Sequence, residues 1–170
     1  MADAFTGYSS ALSSPGLEHY AITPEAAYGI YGVVVGADGK LDETASTARR
    51  AELRKARVAR AGRQTTVLHG ALLCEASVNL HVRQADDGAH WACAKCASDL
   101  GAVNANYKDG CLREDHPVAD SNPLIGDPAR FIDDDVTFRQ FFCPGCGAQI
   151  DNEIAVTKDD VLADIGVSLR

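Results

Sequence analysis

Hydrophobic positions along this chain change period several times, and each change predicts a different element. From Thr65 the apolar residues Val67, Leu68, Leu72 and Leu73 lead into a strict alternation, Val78, Leu80 and Val82 against Asn79, His81 and Arg83. A period of two over that length predicts a half-buried strand. The turn residues Asp86, Asp87 and Gly88 then return the chain through His90 and Trp91, which predicts a hairpin. Farther on, TFRQFF precedes and AQIDNEIAV follows a tight turn, predicting a second strand pair with Phe138, Phe142, Ile150, Ile154 and Val156 as core positions.

The run ETASTARRAELRKARVARAG is built almost wholly of good helix formers, and Gly62 closes it. Acid at its start, with Asp42 and Glu43, and base toward its end complement the helix dipole. Its apolar residues are mostly alanine, so it buries little by itself and is expected to lie across another surface. Before it, the Ser-, Gly- and Ala-rich opening to Thr23 is expected to be extended or ordered only on a partner. Pro24 and Glu25 begin a short helical turn, Val33 to Val35 form a brief strand, and Asp38 and Gly39 make a turn. Residues 97–137 form a long polar insert without periodicity, the kind of segment that is usually functional or partner-bound. The tail KDDVLADIGVSLR is expected to be irregular or a short helical end.

The chemistry centres on two cysteine pairs. Cys93 and Cys96 in WACAKC, and Cys143 and Cys146 in FFCPGCG, share one spacing, with Pro144, Gly145 and Gly147 shaping the second turn. Four thiolates from two knuckles suit one tetrahedral zinc ion, and four protein ligands leave no position for water or substrate. The site is therefore expected to be structural. Rubredoxin-like iron is the alternative metal; the glycine expected after each knuckle is present as Gly147 but replaced by Ala97 at the first. Together the elements predict an α+β chain: a zinc-ribbon-like β domain over residues 65–170, preceded by an arm and basic helix over residues 1–64 that docks a partner.

Composition adjusts this picture in three ways. Hydrophobic residues at 46% argue against wholesale disorder, while aromatics at 6%, several of them beside the knuckles, place the best-supplied core around the metal. The opening MADAFTGYSSALSSPG lacks the basic start and apolar run of a secretory signal, and no stretch is long and apolar enough to span a bilayer. A cytoplasmic, reducing location is expected, where paired CxxC turns are metal ligands rather than disulfides. Finally, the net charge of -8 hides an asymmetry: Arg49, Arg50, Arg54, Lys55, Arg57, Arg60 and Arg63 face only Glu52, a local +6 that leaves -14 for the rest. A basic segment on an acidic body suggests that the segment meets something acidic.

Other candidates carry less. Cys111 with His116, or Cys74 with His69, could offer a further metal ligand, as could His81 and His90; buried single cysteines and exposed strand histidines are the commoner outcome. The run Asp133, Asp134, Asp135 could bind a cation or simply be a solvated loop. A phosphate-loop reading of the glycines before the helix fails, because Val34 and Leu41 stand where Gly and Ser or Thr are needed around Gly39 and Lys40. No HExxH, GxSxG or paired-carboxylate constellation is present, so no catalytic residue and no cofactor-binding residue is assigned to this chain.

The segment FRQFFCPGCGAQIDNEIAV, followed by VLADIGVSL, resembles the C-terminal part of the small subunits of the acetone carboxylase and acetophenone carboxylase type, and WACAKC resembles their first knuckle. The likeness runs from about Cys74 to the end and is strongest after Val136. A second stretch, EAAYGIYGVVVGADGKLDETASTARRAELRKARVA, is similar to the tail of one large subunit of the hydantoinase and ketone carboxylase group. The resemblance implies a complex that carboxylates a ketone at its methyl group with bicarbonate and ATP. A divalent cation would serve that chemistry on large catalytic subunits in a hetero-oligomer. It implies that this chain is a zinc-carrying structural or coupling component, with an aromatic ketone such as acetophenone favoured over acetone. The competing reading is a nucleic-acid-associated zinc ribbon using the basic helix on phosphates, against which the acidic remainder weighs.

Overall fold

Two antiparallel sheets and one long helix carry an α+β fold in the computed structural model, which describes residues 24–29, 31–62, 64–120 and 125–168. The opening expected to be extended lies in residues 1–23, outside the described residues. Helix α1 (Pro24–Gly29) leads to a two-stranded ribbon of β1 (Val34–Val35) and β2 (Leu41–Asp42), and then to α2 (Glu43–Ala61). The helix starts where predicted because the Asp42 side chain accepts from the Ala45 amide at 2.8 Å. It stops at Gly62, whose φ of 59° is the left-handed conformation that glycine adopts without strain.

The second part begins with an isolated pairing of Val67 with Ser98 and continues as a sheet in the order β3 (Leu72–Glu75), β4 (Leu80–Ala85), β5 (Gly88–Cys93), β6 (Asp99–Ala102). A 3₁₀ turn at Tyr107–Gly110 crosses to the other sheet, in the order β7 (Leu112–His116), β8 (Val136–Phe142), β9 (Gln149–Val156). Leu80, Val82, Trp91, Leu100, Tyr107, Phe141 and Ile150 meet in one core with Cys93, Cys111 and Cys143. Each such large side chain withdrawn from water contributes roughly 1.5–3 kcal/mol. The irregular tail after β9 closes the core, laying Val161, Ile165 and Val167 against it.

Several expectations need correction. Val78 is 79% exposed, because Ser77 and Leu80 bond each other's backbones and make Val78 and Asn79 the tip of a tight turn; the alternating strand starts only at Leu80. Leu72 and Leu73, each 43% exposed, lie on the short edge strand β3. Ile154 is 54% exposed although Ile150 is buried. The pairing slips between Phe141, opposite Asp151, and Phe142, opposite Gln149, so Ile150 is the extra residue of a bulge. A bulge shifts the phase of the alternation, which is why two isoleucines four residues apart part company. The polar insert is also no simple loop, since β6, the 3₁₀ turn and β7 within it complete both sheets.

Helix α2 does lie across a surface, as its alanines suggested. Leu53, Ala56, Arg57 and Arg60 approach Glu114, His116, Phe138 and Gln140 on one face of the β7–β8–β9 sheet. Part of its positive charge is engaged within the chain. Arg49 sits 4.3 Å over the Tyr28 ring and 3.4 Å from Glu52, Arg50 donates to the Tyr31 carbonyl at 3.3 Å, Arg57 stacks 3.9 Å over Phe142, and Arg60 pairs with Glu114. Among the described residues, no helix is long and apolar enough to cross a membrane.

Candidate metal centre

Each knuckle is a turn whose backbone folds back on its own first cysteine. In the first, Ala97 N donates to Cys93 O at 2.8 Å and Cys93 N to Ser98 O at 3.0 Å. In the second, Gly147 N donates to Cys143 O at 2.8 Å and Cys143 N to Ala148 O at 2.7 Å. The residue after each pair takes the same left-handed conformation, with φ of 56° at Ala97 and 67° at Gly147. The two positions differ in their surroundings. A Cβ at Gly147 would collide with the Arg54 backbone of α2, so glycine is required where the helix crosses the knuckle. Ala97 has no such neighbour to exclude its methyl, and only the modest cost of a left-handed alanine applies.

Packing of the two sheets on one core brings the knuckles together. All four sulfurs lie within 4.8 Å of one another, with Cys93 Sγ 3.8 Å from Cys146 Sγ and Cys96 Sγ 3.5 Å from Cys143 Sγ. A tetrahedron with zinc–sulfur distances of about 2.3 Å has edges of about 3.8 Å, so this set fits a four-thiolate metal. Cys93 and Cys143 are buried, and Cys96 and Cys146 are half-buried. The Ser98 hydroxyl stands 3.1 Å from Cys96 Sγ, in space kept open by Gly145, whose Cβ would occupy it.

Crowding separates the proton affinities of the four thiols. Hydrogen bonds from Cys146 and Cys93 hold Cys143 down at about 7, and those from Cys143 and its neighbours draw Cys96 down as well. The same contacts, led by Cys143, push Cys93 and Cys146 up. Four like charges cannot gather here alone; a divalent cation would take the place of the retained protons and make all four sulfurs ligands. Such an ion would supply cross-linking, having no open position for a reacting group.

The remaining sequence candidates do not join this cluster, which is the only group of three or more metal-capable side chains among the described residues. Cys111 is a core residue whose thiol donates to the Tyr107 carbonyl at 3.5 Å, and Cys74 packs half-buried against the same core. His90 is held between Asp87 and Asp99 at 3.1 and 3.0 Å. Asp133, Asp134 and Asp135 are exposed, with Asp134 paired to Lys158 at 2.6 Å.

One cluster escaped the sequence reading. Lys108 Nζ, its side chain 1% exposed, lies 3.0 Å from Glu153, 3.2 Å from Asp151 and 3.3 Å from Asp164. Tyr107 OH donates to Asp151 at 2.9 Å and to Asp164 at 3.1 Å. The buried Arg139 pairs with Glu153 at 3.0 Å and donates to the carbonyls of Val156, Thr157, Asp159 and Asp160. These contacts strap the tail to the β7–β8–β9 sheet and to the 3₁₀ turn before it. Burial alone would lower Lys108, yet hydrogen bonds and charges from the three carboxylates outweigh it and raise its pKa. The sequence signals were faint: an arginine inside an aromatic strand, and a lysine directly after a tyrosine.

Two knuckles of two thiols each, brought together between antiparallel sheets, define a small α+β protein whose four clustered cysteines could hold one metal ion. The family model described as "Acetone carboxylase gamma subunit" matches residues 68–170, and the chain belongs to that family. It is also 35% identical over 83 residues to the acetophenone carboxylase beta subunit of Aromatoleum aromaticum. That match covers 47% of this chain and 64% of the relative, so the chain spans less than two thirds of that protein's length. The resemblance seen in the second half of the sequence is thereby borne out, whereas the one in its N-terminal third lies outside the residues matched by the family model.

Proposed function

We propose that this chain is a structural, zinc-binding accessory subunit of a multi-subunit ketone carboxylase of the acetophenone or acetone type. Cys93, Cys96, Cys143 and Cys146 hold the zinc, and the chemistry, with ATP, bicarbonate and a divalent cation, belongs to large catalytic subunits of a cytoplasmic hetero-oligomer. The observation that carries this reading is the closed four-thiolate set in a member of the acetone carboxylase gamma family. A centre with four protein ligands cross-links and does not turn over substrate. Residues 65–170 form the zinc-ribbon-like domain and residues 1–64 the docking part. The alternative of a nucleic-acid module gains little from the helix, whose Arg49, Arg50 and Arg60 are engaged within the chain.

Co-expression with large ketone carboxylase subunits tests the assignment. Co-elution on size exclusion at low salt, with stoichiometric zinc in this chain, is the expected result. A chain that elutes alone at low salt would overturn the subunit reading, and a chain without zinc would overturn the metal reading.

A further inference from the structure

The groove beneath α2 is a pocket of about 160 Å³, lined among others by Leu53, Arg57 and Arg60 of the helix and by Glu114, His116 and Phe138 of the sheet. Its charges do not balance. Glu114 is engaged on both sides, by Arg60 and by His116, whose Nε2 lies 3.5 Å away. Arg57 is held differently, its guanidinium carbon 3.9 Å over the centre of the Phe142 ring. No hydrogen bond or ion pair joins Arg57 to any acceptor among the described residues. A ring contact uses none of the guanidinium's N–H donors, which can receive the fork of a carboxylate. Burial lowers the Arg57 pKa, and the neighbouring cations Arg60 and Arg54 lower it further against the pull of Glu114, as expected for a cation short of one counter-charge.

We propose that this pocket is a carboxylate-binding site in which Arg57 receives the anion, Arg60 and Glu114 form its charged wall, and Leu53 and Phe138 take a short apolar body. A cavity of about 150 Å³ accommodates a ligand the size of benzene, which sets the upper size of the guest. The carboxylate belongs to a free small acid or to an acidic side chain of a docked protein, and the same arginine serves both. The inference is independent of the metal; its free-acid form is also independent of the subunit assignment, on which its protein-carboxylate form rests.

The test follows the Arg57 Nε–H resonance of the full-length, zinc-loaded protein during titration with sodium acetate and sodium butyrate, with sodium chloride at matched ionic strength as reference. A saturating shift with the carboxylates and not with chloride, with a dissociation constant on the order of millimolar, is the result expected for a free acid. Arg57→Gln should weaken that binding at least about tenfold, the loss typical of a charge-assisted hydrogen-bonding partner, and Arg57→Lys should retain part of it. For a protein carboxylate, the resonance shifts only on assembly with large carboxylase subunits, and Arg57→Gln weakens the assembly while the exposed Lys55→Gln does not. An Arg57 signal that follows chloride and acetate alike and stays unmoved on assembly would overturn the proposal. Saturation by acetate in a chain that binds no large subunit would instead sink the subunit reading and leave the pocket standing.

Discussion

The thiolate centre and the Lys108–Arg139 cluster fasten the same small core in opposite ways. Four sulfurs from two knuckles gather within 4.8 Å, each pair delivered by a turn that is complete within six residues of sequence. The ionic cluster draws Lys108 from the insert, Arg139 from β8, Asp151 and Glu153 from β9 and Asp164 from the tail, with no two of its charges set by a common turn. The first arrangement, with its thiols ionised, would repel itself without a cation, while the second sets Lys108 and Arg139 against three carboxylates. A core of few aromatics thus has one cross-link made by its own side chains and a second that a bound cation would supply.

The largest way to break this contrast is at the metal. Cys143→Ser should abolish stoichiometric zinc and lower the melting temperature sharply, since thiolate ligation in small zinc domains stabilises by on the order of 10 kcal/mol. Unchanged metal content and unchanged melting would remove the four-thiolate assignment. Next comes Lys108→Met, which leaves Asp151 and Asp164 without their cation, and Glu153 with Arg139 alone, and should cost about 3–5 kcal/mol in denaturant unfolding while leaving zinc content intact. Zinc loss in that variant would mean that the two cross-links are one cooperative unit.

Smaller changes sharpen the comparison inside the metal centre. Gly147→Ala should cost about 2–3 kcal/mol, combining a left-handed alanine with a collision against the Arg54 backbone. Ala97→Gly, at the matching position, should be neutral or stabilising by up to about 1 kcal/mol. Equal losses at both would show that helix α2 does not press on the second knuckle in solution.

The mildest probe is acid. Burial alone would raise Asp164, but hydrogen bonds shared with Asp151, Lys108 and Tyr107 hold it below the usual carboxylate range. A depressed folded-state pKa gives stability that is present above the ordinary carboxylate value and lost as pH falls through the depressed one. Lys108 is raised, so its contribution is complete below the ordinary lysine range and fades only at more alkaline pH. Melting temperature should therefore be flat around neutrality and fall below about pH 4, less steeply in Asp164→Asn. Identical acid profiles in the two proteins would detach the tail from the cluster.

Much of this was legible in the residues. Equal CxxC spacing picked out the four cysteines that the fold brings together, acid before and glycine after an alanine-rich run delimited α2, and strict alternation located β4. The insert was misjudged because DLGA and LREDH carry too little β propensity to announce strands; β6 and β7 exist because β5 and β8 offer them partners. Ile150 and Ile154 were assigned to one face because a bulge adds a residue that no local pattern marks.

By itself the sequence determined what depends on neighbours a few residues away: two knuckles, a capped helix, a hairpin, and the thiol chemistry of one centre. The tertiary structure decided which charges face one another. It turned the basic helix inward onto Phe142 and Glu114, buried Lys108 among three carboxylates, and left Arg57 facing an open pocket. The physical reason is range: turn geometry and helix capping act over a single turn of chain, whereas the energy of a charge is set by burial and by partners that only folding brings within reach.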